Sequence, residues 1–237
     1  MKNSSICALY RAARVGGDFF DFVVTDSGRL LFLLMDVAGN RDEALDIAAA
    51  VQHRLRSMVP ELFADGELNE AEAITALLVE LNRELIRAAG GVRCAPAFIG
   101  CYRESYGTLT YINAGHTPAL LRDYAGVTVL GANGIPLGLF SHATHDARIS
   151  ALRPGAALVL VSRGLVESKA GSREFGLERL KQVMAAADAG DAKELCVEIL
   201  DAVKTFTESS WRKKESENDV TTLSLVRVAE RAAAAAG

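Results

Sequence analysis

The hydrophobic pattern of the first forty residues predicts a β-hairpin. Residues 30–35 are all apolar, which is typical of a strand buried on both faces. Residues 19–24 are rich in aromatic and β-branched side chains, and the turn sequence at 25–28 joins them to the apolar run. Asp36 therefore falls where the second strand of the hairpin ends.

Apolar side chains recur at helical spacing in four segments, residues 41–58, 69–89, 177–186 and 192–207. Each segment predicts an amphipathic helix. Pro60 is expected to end the first helix, and Gly90-Gly91 is expected to end the second.

Short apolar runs between turns predict further strands at residues 97–104, 109–113, 119–123, 127–130, 157–162 and 220–228. The first four follow one another at the spacing of an antiparallel meander. Strands that alternate with helix pairs fit two packed sheets covered by helices, so we expect an α+β fold. No linker divides the chain, which predicts one domain over 1–237 with an alanine-rich tail at 229–237.

Composition and charge narrow the class of function. Of the 237 residues 50% are hydrophobic, the net charge is −4 and the pI is near 5.7, so no basic field favours nucleic acid. The apolar run at 30–35 has the length of a strand and is too short to span a bilayer. Cys7, Cys94, Cys101 and Cys196 show neither a CxxC pair nor zinc-site spacing. We therefore expect a cytoplasmic protein with reduced thiols that binds neither nucleic acid nor membrane.

Three aspartates at predicted strand ends are candidate metal ligands. Asp18 lies beside a glycine pair, Asp36 follows the buried run, and Asp219 immediately precedes the last strand. Carboxylates beside backbone carbonyls that a turn leaves open are the oxygen ligands that hard divalent cations need. A single aspartate at a strand end is more often an ordinary turn residue or helix cap, and the spacing of the three does not show that they converge.

Six motifs, in order along the chain, resemble those of the SpoIIE/RsbU branch of PPM-type (type-2C-related) protein serine/threonine phosphatases. The motifs are residues 10–21, Asp36-Val37-Ala38-Gly39, Asn113 to Ala119, Gly134 to Gly138, Ser162 to Glu167, and Asn218-Asp219-Val220-Thr221. The resemblance covers about residues 8–228. It implies an α-β-β-α sandwich in which helix pairs flank two central, mostly antiparallel sheets.

The resemblance also implies hydrolysis of phosphoserine or phosphothreonine with two Mn²⁺ or Mg²⁺ ions. By motif, Asp36 corresponds to the ligand that bridges both ions, whereas Asp18 and the carbonyl of Val37 correspond to ligands of one ion. Asp18 and Asp36 are therefore the candidate catalytic residues, and Asp219 is a further candidate metal ligand.

Two ligand positions of the second ion depart from this family pattern. Arg163 stands where the family has an aspartate, and Asn218 replaces the first aspartate of the closing motif. A guanidinium repels a metal ion, by about 4 kcal/mol for unit charges 4 Å apart at an effective dielectric near 20. We therefore expect one Mn²⁺ or Mg²⁺ ion rather than two, with no ion as the alternative. We hypothesise that Arg163 pairs with Asp36, Asp219 or both; the alternative is that it points to solvent.

Two functions follow from the resemblance. The first is a phosphatase with one impaired metal site that acts on a phosphorylated protein of a bacterial partner-switching pathway, by analogy an anti-anti-sigma-factor-like (STAS) protein. The second is a catalytically inactive pseudophosphatase that serves as a binding or regulatory module, and Arg163 and Asn218 favour it. The first motif begins at Tyr10, so we expect no sensor domain before it and a regulator that acts in trans.

Other features have structural explanations. The helices at 41–58 and 69–89 are a candidate homodimer surface, although packing on a sheet explains their pattern equally well. His116 is expected to be structural, and His53 is expected on the surface. His142 and His145 could chelate a metal or lie in a solvated turn.

Overall fold

The computed structural model describes residues 1–11, 17–188, 190–209 and 219–229. The strands in these ranges are β1 (Ser4–Arg11), β2 (Asp18–Val24), β3 (Arg29–Asp36), β4 (Ala97–Arg103), β5 (Thr108–Ala114), β6 (Ala119–Asp123), β7 (Gly126–Leu130), β8 (Arg148–Ala151), β9 (Ala157–Val161), β10 (Lys169–Ala170), β11 (Arg173–Glu174) and β12 (Val220–Arg227). The helices are α1 (Arg41–Leu62), α2 (Glu70–Ala88), α3 (Arg163–Val166), α4 (Gly176–Ala186) and α5 (Ala192–Glu208). Asn218 and residues 230–237 of the alanine-rich tail lie outside the described residues.

Antiparallel pairing joins most of the strands into two sheets. The first sheet has the order β1-β12-β9-β6-β7, and the second sheet has the order β2-β3-β4-β5-β8. Strands β10 and β11 form a separate two-stranded hairpin.

Strand β3 is apolar at almost every position because both of its faces are buried. Leu31 and Leu33 pack against the layer formed by α1 and α2, whereas Leu30 and Phe32 pack between the two sheets. Successive side chains of a strand point to opposite faces, so β3 needs apolar residues at every position.

Helices α4 and α5 cover the outer face of the first sheet. Leu195 and Ile199 of α5 pack with Val159 and Val161 of β9 in one buried cluster. The layers are therefore α1/α2, second sheet, first sheet and α4/α5, which confirms the predicted α-β-β-α sandwich. None of the helices within the described ranges is long and apolar enough to cross a membrane.

The predicted helix end at Pro60 is wrong, because α1 continues to Leu62. A proline in the last turn removes only one backbone hydrogen bond. Phe63, which is completely buried, then caps the helix by donating its N–H to the carbonyl of Val59 at 3.1 Å. The other three predicted helices are confirmed to within one or two residues at each end.

The predicted four-stranded meander is also wrong. Strands β4 and β5 pair in the second sheet, whereas β6 and β7 belong to the first. Gly115 lies where the chain passes from one sheet to the other and has a φ of 73°. A Cβ atom there would stand 2.6 Å from Cγ of Pro136, so this crossing requires glycine. Strands β1, β8, β10 and β11 and the short helix α3 were not predicted.

A buried arginine of the second sheet forms hydrogen bonds with the connection between α1 and α2. Arg29, which is fully buried, donates from Nε to Glu70 Oε1 at 2.8 Å. Its Nη1 and Nη2 atoms donate to the carbonyls of Asp65 at 2.9 Å and Gly66 at 3.0 Å. All of these contacts lie at the start of β3, at the opposite end of that strand from Asp36.

Candidate metal centre

Asp18 and Asp36 lie directly opposite each other, at the first residue of β2 and the last residue of β3. Their proximity follows from the hairpin register, because facing residues of antiparallel strands lie about 4.5–5.5 Å apart. The N–H of Val37 donates to the carbonyl of Gly17 at 2.9 Å and extends the pairing by one step. The hairpin therefore ends in two adjacent carboxylates.

Gly17 leaves the space beside these carboxylates open. A Cβ atom at this position would lie 3.1 Å from the carbonyl oxygen of Val37 and 3.3 Å from Oδ1 of Asp36. The carbonyl of Val37 and the carboxylate of Asp36 therefore border the same narrow space. Any side chain at residue 17 would enter that space.

The first sheet contributes hydrogen bonds to this cluster. Thr221 Oγ1 in β12 donates to Asp18 Oδ2 at 2.6 Å, and Tyr10 at the end of β1 donates to Asp219 Oδ2 at 2.8 Å. Ser162 Oγ accepts from the N–H of Thr221 at 3.0 Å. The three predicted aspartates are therefore linked across the junction of the two sheets.

Tyr10, Thr221 and Ser162 were not predicted as site residues. Thr221 and Ser162 belong to two of the six motifs, and an aspartate or arginine beside each was taken to be the functional position. Tyr10 opens the first motif, but its partner Asp219 lies more than 200 positions away. Only the pairing of β1 with β12 brings the two together.

Burial raises the pKa of Asp18 to about 6. The hydrogen bond that Asp18 accepts from Thr221 and the nearby hydroxyl of Ser162 oppose this rise, because they stabilise the charged form. The negative charges of Asp36 and Asp219 add to the rise. The cluster therefore resists ionisation of all its carboxylates together, and a bound cation would relieve that repulsion.

The pKa of Asp36 is raised for the same main reason, burial. The charge of Arg163 opposes this rise, whereas Asp219 and Glu167 contribute to it. The pKa of Tyr10 is raised to about 12, first by burial and then by its hydrogen bond to Asp219. Tyr10 therefore remains a hydrogen-bond donor throughout the neutral range.

Arg163 lies beside the cluster but is not paired with Asp36. Its Nε atom is 3.5 Å from Glu167 Oε1, and 69% of its side chain is exposed. The hypothesised ion pair with Asp36 is wrong within the described part of the chain, because the ion pair of Arg163 is with Glu167, one helical turn along. The hypothesised pair with Asp219 stays a prediction, and the exposure of the side chain agrees with the alternative that Arg163 points to solvent. The guanidinium nevertheless acts on Asp36 through space, since its charge keeps the pKa of that carboxyl lower than burial alone would set it.

The donor set fits one hard cation. Two adjacent carboxylates and one carbonyl are oxygen ligands, and Mg²⁺ commonly binds through one or two carboxylates while it keeps several waters. Within the described ranges no group of three or more His, Cys, Asp or Glu side chains is arranged to hold an ion. The positive charge of Arg163 adds repulsion towards any cation near Asp36. Asn218, the other substituted position, lies outside the described residues.

The histidines lie outside this cluster. His116 is buried and donates its backbone N–H to Asn113 Oδ1 at 2.8 Å, as a structural residue would. His145 is buried as well, with Nε2 2.9 Å from the carbonyl of Ile135, so the prediction of a solvated turn is wrong for it. His142 and His53 are exposed.

The fold and the acidic cluster together define a PPM-type phosphatase domain. The family model described as Stage II sporulation protein E (SpoIIE) matches residues 26–228, and the chain belongs to this family. Protein IcfG of Synechocystis sp. is 26% identical over an alignment of 220 residues, and the match covers 84% of this chain and 34% of IcfG. The chain therefore spans about a third of the length of that relative.

Solved structures of the same fold support the assignment. The RsbU and RsbW domains of a Mycobacterium tuberculosis protein match with a TM-score of 0.73 at 23% identity, over 95% of this chain and 62% of that one. The phosphatase domain of SpoIIE from Bacillus subtilis, with a fragment of its regulatory domain, matches with a TM-score of 0.74 at 17% identity over the same shares. RsbX in complex with magnesium matches with a TM-score of 0.67 at 15% identity, over 94% of this chain and 95% of that one. At these identities the likeness concerns the fold.

Proposed function

We propose that this chain hydrolyses phosphoserine or phosphothreonine in a partner protein with one divalent ion, Mn²⁺ or Mg²⁺, held at Asp18 and Asp36. One observation carries the proposal. The two carboxylates face each other at the ends of β2 and β3, and the pKa of each is raised by burial. Two buried, adjacent carboxylates destabilise the fold when both are charged, and they are favourable ligands for a cation.

The residues around the two aspartates have positioning roles in this proposal. Thr221 orients Asp18 through its short hydrogen bond, and Tyr10 orients Asp219 in the same way. A divalent ion bound there would neutralise charge on the phosphoryl group and lower the pKa of a bound water. Asp18 and Asp36 would hold that ion, and the carbonyl of Val37 would complete the protein ligands.

The proposed substrate is a phosphorylated protein of a bacterial partner-switching pathway, of the anti-anti-sigma-factor-like (STAS) class. Support comes from the family and from the likeness to RsbU and SpoIIE. The single-domain span of 1–237 and a homodimer through α1 and α2 stay predictions.

Calorimetric titration with Mn²⁺ and turnover of p-nitrophenyl phosphate test the activity together. We expect one ion per chain and a turnover that Asp36→Ala abolishes. Asp46→Ala is the matched control, because Asp46 is an exposed aspartate of α1, and it should keep both ion binding and turnover. Binding of two ions at micromolar affinity would contradict the one-ion site, and absence of turnover in excess Mn²⁺ would contradict the hydrolase.

A pseudophosphatase is the second candidate function, and the charge of Arg163 beside Asp36 favours it. The test restores both substituted carboxylates with Arg163→Asp and Asn218→Asp. If the natural chain has no turnover and the double variant gains turnover with a second ion, the natural chain is a binding module. Equal turnover in both proteins would exclude this alternative.

A further inference from the structure

Arg163 has unused hydrogen-bonding capacity next to the acidic cluster. The guanidinium has five N–H donors, and within the described residues its side chain donates no hydrogen bond that meets ordinary distance and angle criteria. Its contact is the 3.5 Å ion pair with Glu167, a side chain that is itself 39% exposed. Exposed pairs of this kind contribute little to stability, so the contact with Glu167 can be given up at small cost.

The backbone fixes Arg163 at the edge of the candidate metal centre. Its neighbour Ser162 is completely buried and bonds to the main chain of Thr221 and Asp219. Thr221 in turn donates from Oγ1 to Asp18 Oδ2 at 2.6 Å. Arg163 thus begins α3 directly after a residue that contacts the cluster, while its side chain extends to the surface.

The local charge determines what this guanidinium can bind. Asp18, Asp36, Asp219 and Glu167 are acidic, so a phosphate group would be repelled from the cluster without a compensating cation. A single divalent ion supplies part of that compensation. Arg163 adds a permanent positive charge at the edge of the acidic cluster. Its planar guanidinium group can donate two parallel hydrogen bonds to two oxygens of a phosphate group.

We propose that Arg163 binds the phosphate group of the substrate and supplies charge that a second metal ion would otherwise provide. This inference rests on the proposed one-ion phosphatase site and assigns a phosphate-binding residue to it. Phosphate would replace Glu167 as the partner of the guanidinium. The ligand class is a phosphate monoester dianion, and inorganic phosphate is the simplest probe.

Calorimetric titration of the whole chain with inorganic phosphate, in saturating Mn²⁺, tests the role of Arg163. We expect Arg163→Gln to weaken phosphate binding about 10-fold or more, because a charge-assisted bidentate contact is lost. Mn²⁺ should bind this variant at least as tightly as it binds the natural chain, because a repelling charge is removed. Arg153→Gln is the matched control: Arg153 is another exposed arginine in an ion pair, with Asp123, and its replacement should leave both affinities unchanged.

Arg163→Lys separates charge from geometry. It keeps the positive charge without the planar fork, so phosphate affinity should fall between those of the natural chain and Arg163→Gln. Unchanged phosphate affinity in Arg163→Gln, with Mn²⁺ binding intact, would overturn the role of Arg163 and leave the proposed function standing. Failure of the natural chain to bind Mn²⁺ would overturn the proposed function and this inference together.

Discussion

Asp18 carries a charge that the metal-free fold disfavours. Its pKa is raised to about 6 in the folded chain, against about 3.9 for an aspartate in an unfolded chain. Between these values the unfolded state releases its proton first, so stability falls as the pH rises through that window. Above pH 6 the charged carboxylate opposes folding in full, unless a cation is bound beside it.

Replacement of Asp18 by Asn should therefore stabilise the metal-free protein at pH 7.5. The expected gain in free energy of unfolding is on the order of 3 kcal/mol, measured by urea denaturation in EDTA. The same variant should lose any stabilisation by Mn²⁺. The control Asp46→Asn removes an exposed aspartate and should leave both quantities unchanged. A less stable Asp18→Asn protein in EDTA would contradict the argument.

His116 is expected to change the free energy of unfolding with pH in the opposite direction to Asp18. Burial lowers its pKa to about 4, from about 6.5 in an unfolded chain. Its Nδ1 atom lies 3.1 Å from the carbonyl of Thr117, whereas Nε2 is buried with no hydrogen-bond partner among the described residues. A proton on Nε2 would therefore remain unsatisfied, so the folded state favours the neutral ring.

Stability from His116 should be fully present above pH 6.5 and should decline as the pH falls towards 4. The decline should amount to on the order of 3 kcal/mol and should be absent in His116→Gln. His53→Gln, which changes an exposed histidine of α1, should keep the decline of the natural chain. The measurement is the free energy of unfolding at several pH values between 4 and 7.5, and the same pH slope in His116→Gln would refute the assignment.

At the scale of elements, the connection between α1 and α2 depends on one buried ion pair. Glu70→Ala would leave Arg29 buried without its carboxylate partner, which should lower the free energy of unfolding by about 3–5 kcal/mol. Glu80→Ala is the matched control. Glu80 pairs with Arg54 and Arg83, which are largely exposed, so its loss should lower stability by about 0–1 kcal/mol. Urea denaturation of both variants measures the difference, and equal losses would show that the burial of Arg29 is irrelevant.

At the scale of the whole molecule, the candidate metal centre joins the two sheets. Asp18 and Asp36 belong to the second sheet, and Thr221 and Tyr10 belong to the first. A ligand that binds only the folded state stabilises it according to its concentration relative to the dissociation constant. Mn²⁺ should therefore raise the melting temperature of the natural chain, by an amount equivalent to about 2.7 kcal/mol at 100 times the dissociation constant.

Removal of the ion with EDTA should reverse this rise completely. The Asp36→Ala variant should show no rise at all, because the adjacent carboxylates no longer form a pair. A scanning-calorimetry series in Mn²⁺ measures both effects. If Mn²⁺ raised the melting temperature of Asp36→Ala as much as that of the natural chain, the ion would bind at another site.

Much of the fold could be predicted because its signals are local. The apolar run of β3 and the helical spacing of α2 and α5 report on burial within a few residues, and each element lies within two residues of its predicted range. The proximity of Asp18 to Asp36 follows from the same hairpin, whose turn sets the register. Thus the sequence alone determined the four long helices, most of the strands and the hairpin on which Asp18 and Asp36 lie, whereas the proximity of the two aspartates was read from the register in the structure.

The remaining features depend on contacts between distant parts of the chain. A strand has the same period whichever sheet it joins, so only packing decided that β6 and β7 leave the sheet of β4 and β5. The burial of Phe63 overrode the local signal of Pro60. The contact of Tyr10 with Asp219 required the pairing of β1 with β12, and the position of Arg163 required the pairing of β9 with β12. The contact of Thr221 with Asp18 required the packing of the two sheets, and no local pattern encodes any of these contacts. Tertiary structure therefore decided how the acidic cluster is completed, because hydrogen bonds and charges act through space and not along the sequence.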